Sequence, residues 1–155
     1  MATAKRIVRK RQSPDLASKA RLKPPLEKEI GKQCDRLAET LGWTVERYEQ
    51  GRATRIKEGL PDRRYLKNGA RVWVELKRPK GKLTVAQYGW LISELDAGAL
   101  ATVVDNPDDL LLVLQACGRR SQETAAHALC HRLLDAVWKR GPRATSPLVP
   151  RKHKR

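Results

Sequence analysis

The chain has 155 residues, 40% of them apolar and 5% aromatic with no Phe, and carries a formal charge of +16. That length predicts one domain with a modest core, and the basic balance points to a polyanionic partner. No apolar run is long enough to cross a bilayer, the longest being around Leu110 to Leu114.

Three cysteines, Cys34, Cys117 and Cys130, cannot pair off, and the basic N-terminus lacks the apolar centre of a secretory signal. Reduced thiols in a cytoplasmic protein are therefore expected, in a prokaryotic or phage-infected cell, or in the nucleus if the source is eukaryotic. Residues 1–25 carry eight Lys/Arg against Asp15 alone, and residues 139–155 carry seven with no acid. Between these tails, residues 47–82 hold twelve Lys/Arg against four acids, while both flanks of that stretch are mildly acidic.

Taken in order, residues 1–23 form a basic tail without sustained periodicity. Pro24-Pro25 open a helix from Leu26 to Leu41, with Leu26, Ile30, Cys34, Leu37 and Leu41 on one stripe and Gly42 as its stop. Glu27, at the edge of that stripe, is the carboxylate that faces the sheet; Glu29 points away. Trp43 to Tyr48 reads as a first strand, and a polar loop with Arg52 and Arg55 follows.

Asn68-Gly69 is a strong hairpin signal, since both residues tolerate the positive φ of a type I′ turn. In the run from Ala70 to Lys77, Val72, Val74 and Leu76 share one face and Trp73, Glu75 and Lys77 the other. A two-residue loop pairs Arg64 with Trp73, Arg63 with Val74 and, by continuation, Asp62 with Glu75. Two carboxylates then stand about 5 Å apart between Cβ atoms, an unfavourable arrangement across a ladder. A divalent cation would reverse that sign, and hard cations such as Mg²⁺ are held by one or two carboxylates. A metal site with Lys77 beside it is expected on these grounds.

After a basic loop at 78–82, Thr84-Val85-Ala86-Gln87 fits a capping box. Val85, Tyr88, Leu91, Ile92 and Leu95 then form an apolar stripe that ends at Gly98. Ala99 to Val104 reads as a buried strand, parallel to its neighbour because a helix crossover precedes it. Asn106 and Pro107 cap a helix to about Gln115. Ser121 to about Lys139 is a further helix, stopped by Gly141-Pro142. His127, Cys130 and His131 share that helix, but zinc is disfavoured because no Cys-x-x-Cys pair is present.

Gly59 to Asp62 (GLPD), then Glu75 to Lys77 (ELK), then Gly81 to Gln87 (GKLTVAQ), preceded by a helix bearing Glu27, together resemble the VRR-NUC branch of the PD-(D/E)XK nuclease superfamily over residues 26–113. The resemblance implies an α/β, restriction-endonuclease-like αβββαβ core, a mixed sheet flanked by helices, with an extra C-terminal helix and basic tails. The division is 1–23 tail, 24–116 nuclease domain, 117–140 C-terminal helix offering a dimer contact, and 141–155 tail. One departure stands out: Arg63-Arg64 follow Pro61-Asp62, where the family has apolar residues. Arg64 would share a face with Asp62, while Arg63 would fall on a core face.

What the resemblance implies is Mg²⁺- or Mn²⁺-dependent hydrolysis of DNA, structure-selective for branched DNA of the Holliday-junction type, by a homodimer. Asp62, Glu75 and the Leu76 carbonyl would ligate the metal, with Glu27 contributing through water or a second metal. Lys77 would stabilise developing charge, and Gln87 would steady Lys77 or the attacking water. Arg52, Arg55, Arg64, Lys80, Lys82 and the tails would meet phosphates. The alternatives are a non-catalytic basic DNA-binding protein on the same frame, or a nuclease for RNA or linear DNA ends.

Overall fold

The turn at Asn68-Gly69 forms as the dipeptide dictates, with φ of 49° at Asn68 and 84° at Gly69, the left-handed values that a two-residue hairpin loop needs. In the computed structural model, which describes residues 23–48, 58–119 and 122–144, this turn joins β2 (Arg63–Lys67) to β3 (Ala70–Leu76). The pairing is the expected one, from Lys67 with Ala70 to Arg63 with Val74. β1 (Thr44–Arg47) lies antiparallel on the other side of β2, with Glu46 opposite Arg64. β4 (Leu100–Val104) runs parallel to β3 after the crossover through α2 (Val85–Asp96).

The sheet order is β1-β2-β3-β4. α1 (Glu27–Thr40) precedes it; α3 (Pro107–Cys117) and α4 (Glu123–Trp138) follow. The described chain is thus α/β, with a mixed four-stranded sheet flanked by helices. Among the described residues no helix is long and apolar enough to cross a membrane. The tails at 1–22 and 145–155, and the loop carrying Arg52 and Arg55, lie outside the described residues.

Alternation in β3 divides the two layers. Val72, Val74 and Leu76 are buried on the face that meets α1 and α3. Trp73 and Glu75 face α2, where Trp90 meets the Trp73 ring edge-on at 5.1 Å. α1 buries Ile30, Gly31, Cys34, Asp35 and Ala38, so an acid joins the apolar stripe. Leu26 and Val85, both expected on buried stripes, are 63% and 64% exposed. Both lie at the starts of their helices, ends that flank the site rather than the sheet.

α4 buries Ala126, Cys130, Leu134 and Val137 within its own chain. The Thr102 hydroxyl on β4 donates to the Cys130 carbonyl at 3.1 Å. Trp138 stacks on Tyr88 of α2 at 4.0 Å and 9°, and α4 also touches α3 on the opposite face. A helix that touches both layers and the edge strand must pass around that edge, so α4 covers the outer side of β4.

Candidate metal centre

β3 and β4 end together, and the Lys77 N–H donates to the Val104 carbonyl at 2.9 Å. The carboxyl ends of parallel strands are where α/β sheets leave a crevice. Three segments meet there: 59–62, 75–77 and 81–87.

Gly59 docks the first segment. Its φ is 86°, and a Cβ there would lie 2.4 Å from the Ala86 carbonyl oxygen. Only glycine lets this backbone rest on the first turn of α2. That contact delivers Pro61 and Asp62 to the end of β3. The Asp62 carbonyl accepts from the Tyr48 N–H at 2.9 Å and from Arg63 Nη1 at 3.0 Å. Its carboxylate Oδ2 accepts from the Leu76 N–H at 3.0 Å. Leu76 thus enters the site through its main-chain donor.

Glu75 is 1% exposed. Its Oε1 accepts from Lys77 Nζ at 2.6 Å and from Gln87 Nε2. Its Oε2 is buried with no hydrogen-bond partner among the described residues. Burial, and then the nearby charge of Asp62, push the Glu75 carboxyl up to about 7, against the opposing influence of Lys77. Gln87 works at both ends: its Oε1 accepts from the Thr84 N–H at 3.0 Å, while the Gln87 N–H donates to Thr84 Oγ1 at 3.1 Å. The capping box and the contact to Glu75 are therefore one device.

A buried, partnerless carboxylate oxygen is costly. Beside a second carboxylate, it fits a hard divalent cation, which accepts oxygen ligands readily. Asp62 and Glu75 are the side chains that would hold one. Glu27 sits exposed on the first turn of α1. Its charge adds the smallest of the influences that raise Glu75, but it does not join the pair: among the described residues no three His, Cys, Asp or Glu side chains gather as a metal-binding group. Glu29 instead accepts from the Leu26 N–H at 2.9 Å.

Arg64 turns to Glu46 rather than to Asp62, with Nη2 2.5 Å from Glu46 Oε2. Its guanidinium lies over the Trp73 ring at 5.0 Å. The Tyr48 hydroxyl and Arg64 together hold the Glu46 carboxyl below its ordinary range. Lys80 and Lys82 are exposed on the loop that follows Lys77.

Sequence reasoning missed Asp35. It is 5% exposed and accepts from Arg47 Nε at 2.7 Å, Arg63 Nε at 3.1 Å and the Tyr65 hydroxyl at 3.2 Å. Arg63 does fall on the core face, and Asp35 is what receives it there. The same guanidinium reaches the Asp62 carbonyl, so the buried ion pair also fixes the backbone of a candidate ligand.

His127 Nε2 lies 2.7 Å from the Leu95 carbonyl oxygen. Burial pushes the thiols of Cys117 and Cys130 up to about 12.

Fold and site together define an α/β protein with an acid pair, buried Glu75 and half-buried Asp62, at the carboxyl ends of two parallel strands. Searches of family models, curated proteins and solved structures gave no match to the chain.

Proposed function

We propose that this chain is a Mg²⁺- or Mn²⁺-dependent DNA endonuclease of VRR-NUC type, built on a restriction-endonuclease-like core, structure-selective for branched DNA and acting as a homodimer. The observation that carries the reading is the convergence of Asp62, Lys77 and Gln87 on the buried Glu75 carboxylate, whose second oxygen is unpartnered among the described residues. A divalent cation held by Asp62 and Glu75 would polarise a phosphate and acidify water.

The chain's own residues do the rest. Lys77 and Gln87 both donate to Glu75 Oε1, which leaves Oε2 as the oxygen presented to a ligand. Lys77 supplies the positive charge nearest the reacting phosphate and stabilises negative charge that develops there. Leu76 and Arg63 hold Asp62 at its carboxylate and its carbonyl. Glu27 adds negative charge at the rim of the pair. Selectivity for branches and the dimer rest on the resemblance alone; two active sites are what a symmetric junction requires.

The test is cleavage of a synthetic four-way junction beside its component duplexes, with Mg²⁺, Mn²⁺ or EDTA. Metal-dependent cutting of the junction above the duplexes supports the reading, and equal cutting removes branch selectivity. Asp62→Ala and Lys77→Ala should bind and not cut. Binding that survives EDTA with no cleavage under either metal would make the chain a DNA-binding protein on this frame.

A further inference from the structure

The loop that leaves the site is folded tightly. The Gly81 N–H donates to the Arg78 carbonyl at 2.8 Å, with Pro79 second and Lys80 third, the pattern of a type II turn. The third position needs positive φ and ordinarily takes Gly or Asn. Here Lys80 occupies it at φ 61°. Long side chains are uncommon in that region, and such residues concentrate at functional sites. The loop also folds back on the site itself, since a Cβ at Gly81 would lie 3.0 Å from Lys77 Cβ.

The chain end that follows α4 is stitched to this loop. Arg140 Nη1 donates to the Gly81 carbonyl at 3.3 Å and to Asp105 Oδ2 at 2.9 Å. The Arg143 N–H donates to the Leu83 carbonyl at 2.7 Å. A Cβ at Gly141 would lie 3.9 Å from Lys82 Nζ. Residues 139–143 therefore lie along residues 81–83.

Arg140 is occupied by Asp105, but Lys80, Lys82, Lys139 and Arg143 are exposed, and none forms an ion pair with a described residue. Neither 77–84 nor 139–144 contains an acid. Like charges crowded in this way repel one another unless an anion lies among them.

We infer that the loop before α2 and the chain end after α4 form one rim, in which Lys80, Lys82, Lys139 and Arg143 grip backbone phosphates of the strand whose scissile phosphate meets Asp62 and Glu75. This rests on the nuclease reading, and it extends the site beyond residues 26–113. A carboxylate pair repels an approaching phosphate, and the rim offsets that repulsion at the place where it is strongest. Arg140 is a positioning residue: it ties the chain end to the loop and leaves phosphate contact to its neighbours.

The test measures affinity of the full chain for a labelled four-way junction in EDTA across a range of salt, so that it does not depend on cleavage. Each lost phosphate contact lowers the log–log salt slope by about 0.9. Lys139→Ala/Arg143→Ala should lower it by about 1.8, while Arg119→Ala/Arg132→Ala, at exposed cations elsewhere, should leave it unchanged. Lys80→Asn should weaken binding without lowering the melting temperature, a pairing that a purely structural lysine would not give. Arg140→Ala should weaken binding, with Arg140→Lys restoring part of it. An unchanged slope in Lys139→Ala/Arg143→Ala overturns the rim even if the wild type cuts DNA. A lowered slope in a wild type that never cuts upholds the rim and removes the nuclease. No binding at all removes both.

Discussion

Glu75 couples protonation, stability and metal binding, and the coupling can be measured. The carboxyl is pushed from 4.5 to about 7, chiefly by burial and then by Asp62. Between those values the folded chain keeps a proton that the unfolded chain has lost, so ν_N exceeds ν_U and stability falls as pH rises. The stabilisation is fully present below 4.5 and gone once pH has passed about 7. At about 1.4 kcal/mol per pH unit, the window amounts to about 3 kcal/mol, a large share of a small domain's total. A divalent cation takes the place of the proton. Mg²⁺ or Mn²⁺ should therefore raise stability at pH 8 and do little at pH 5, where Glu75 is already neutral. The assay is urea denaturation at several pH values, in EDTA and in metal, for the wild type and Glu75→Gln. The variant should lose the pH-dependent component and the metal response together. A wild type equally stable at pH 5 and pH 8 in EDTA, or a metal effect of the same size at both, would refute the reasoning.

Other perturbations test the scaffold. Gly59→Ala should cost at least about 3 kcal/mol in chemical denaturation, from positive φ combined with a backbone collision, and should abolish metal-induced stabilisation. Arg63→Leu leaves Asp35 with Arg47 and Tyr65 and should cost roughly 1–3 kcal/mol, while Asp35→Leu takes the acceptor from Arg47, Arg63 and the buried Tyr65 hydroxyl together and should cost roughly 3–5 kcal/mol. Thr84→Ala should cost about 1 kcal/mol through the lost cap. Gln87→Ala, which removes the side chain that accepts from the Thr84 N–H and donates to Glu75, should slow cleavage more than a lost cap explains, as single-turnover rates would show.

The hairpin was legible in the sequence because Asn68-Gly69 fixes both turn type and register, and a fixed register places every side chain of β2 and β3. The parallel β4 was legible because a strand reached through a helix has essentially one way to return. Gln87 was legible only in part, since its spacing from Thr84 announces a cap but says nothing of Glu75. Asp35 was not legible from periodicity. Its partners lie 12 residues away at Arg47 and 28 away at Arg63, and no local pattern spans such distances. A clue was present: an acid beside Cys34 on a buried stripe, and a base at Arg63 on a buried face, are two faults of opposite sign that cancel when paired. Arg64 meets Glu46 because the β1–β2 register sets the two opposite each other, and the long connection between those strands left that register illegible in the sequence.

The way α4 passes around β4 bears on how copies of this chain can and cannot associate. A bare strand invites another chain to continue the ladder, the first step of edge-to-edge aggregation. With that side covered, continuation is left to β1, which is four residues long and ends in Glu46 and Arg47. Short, charged borders of this kind discourage open-ended growth.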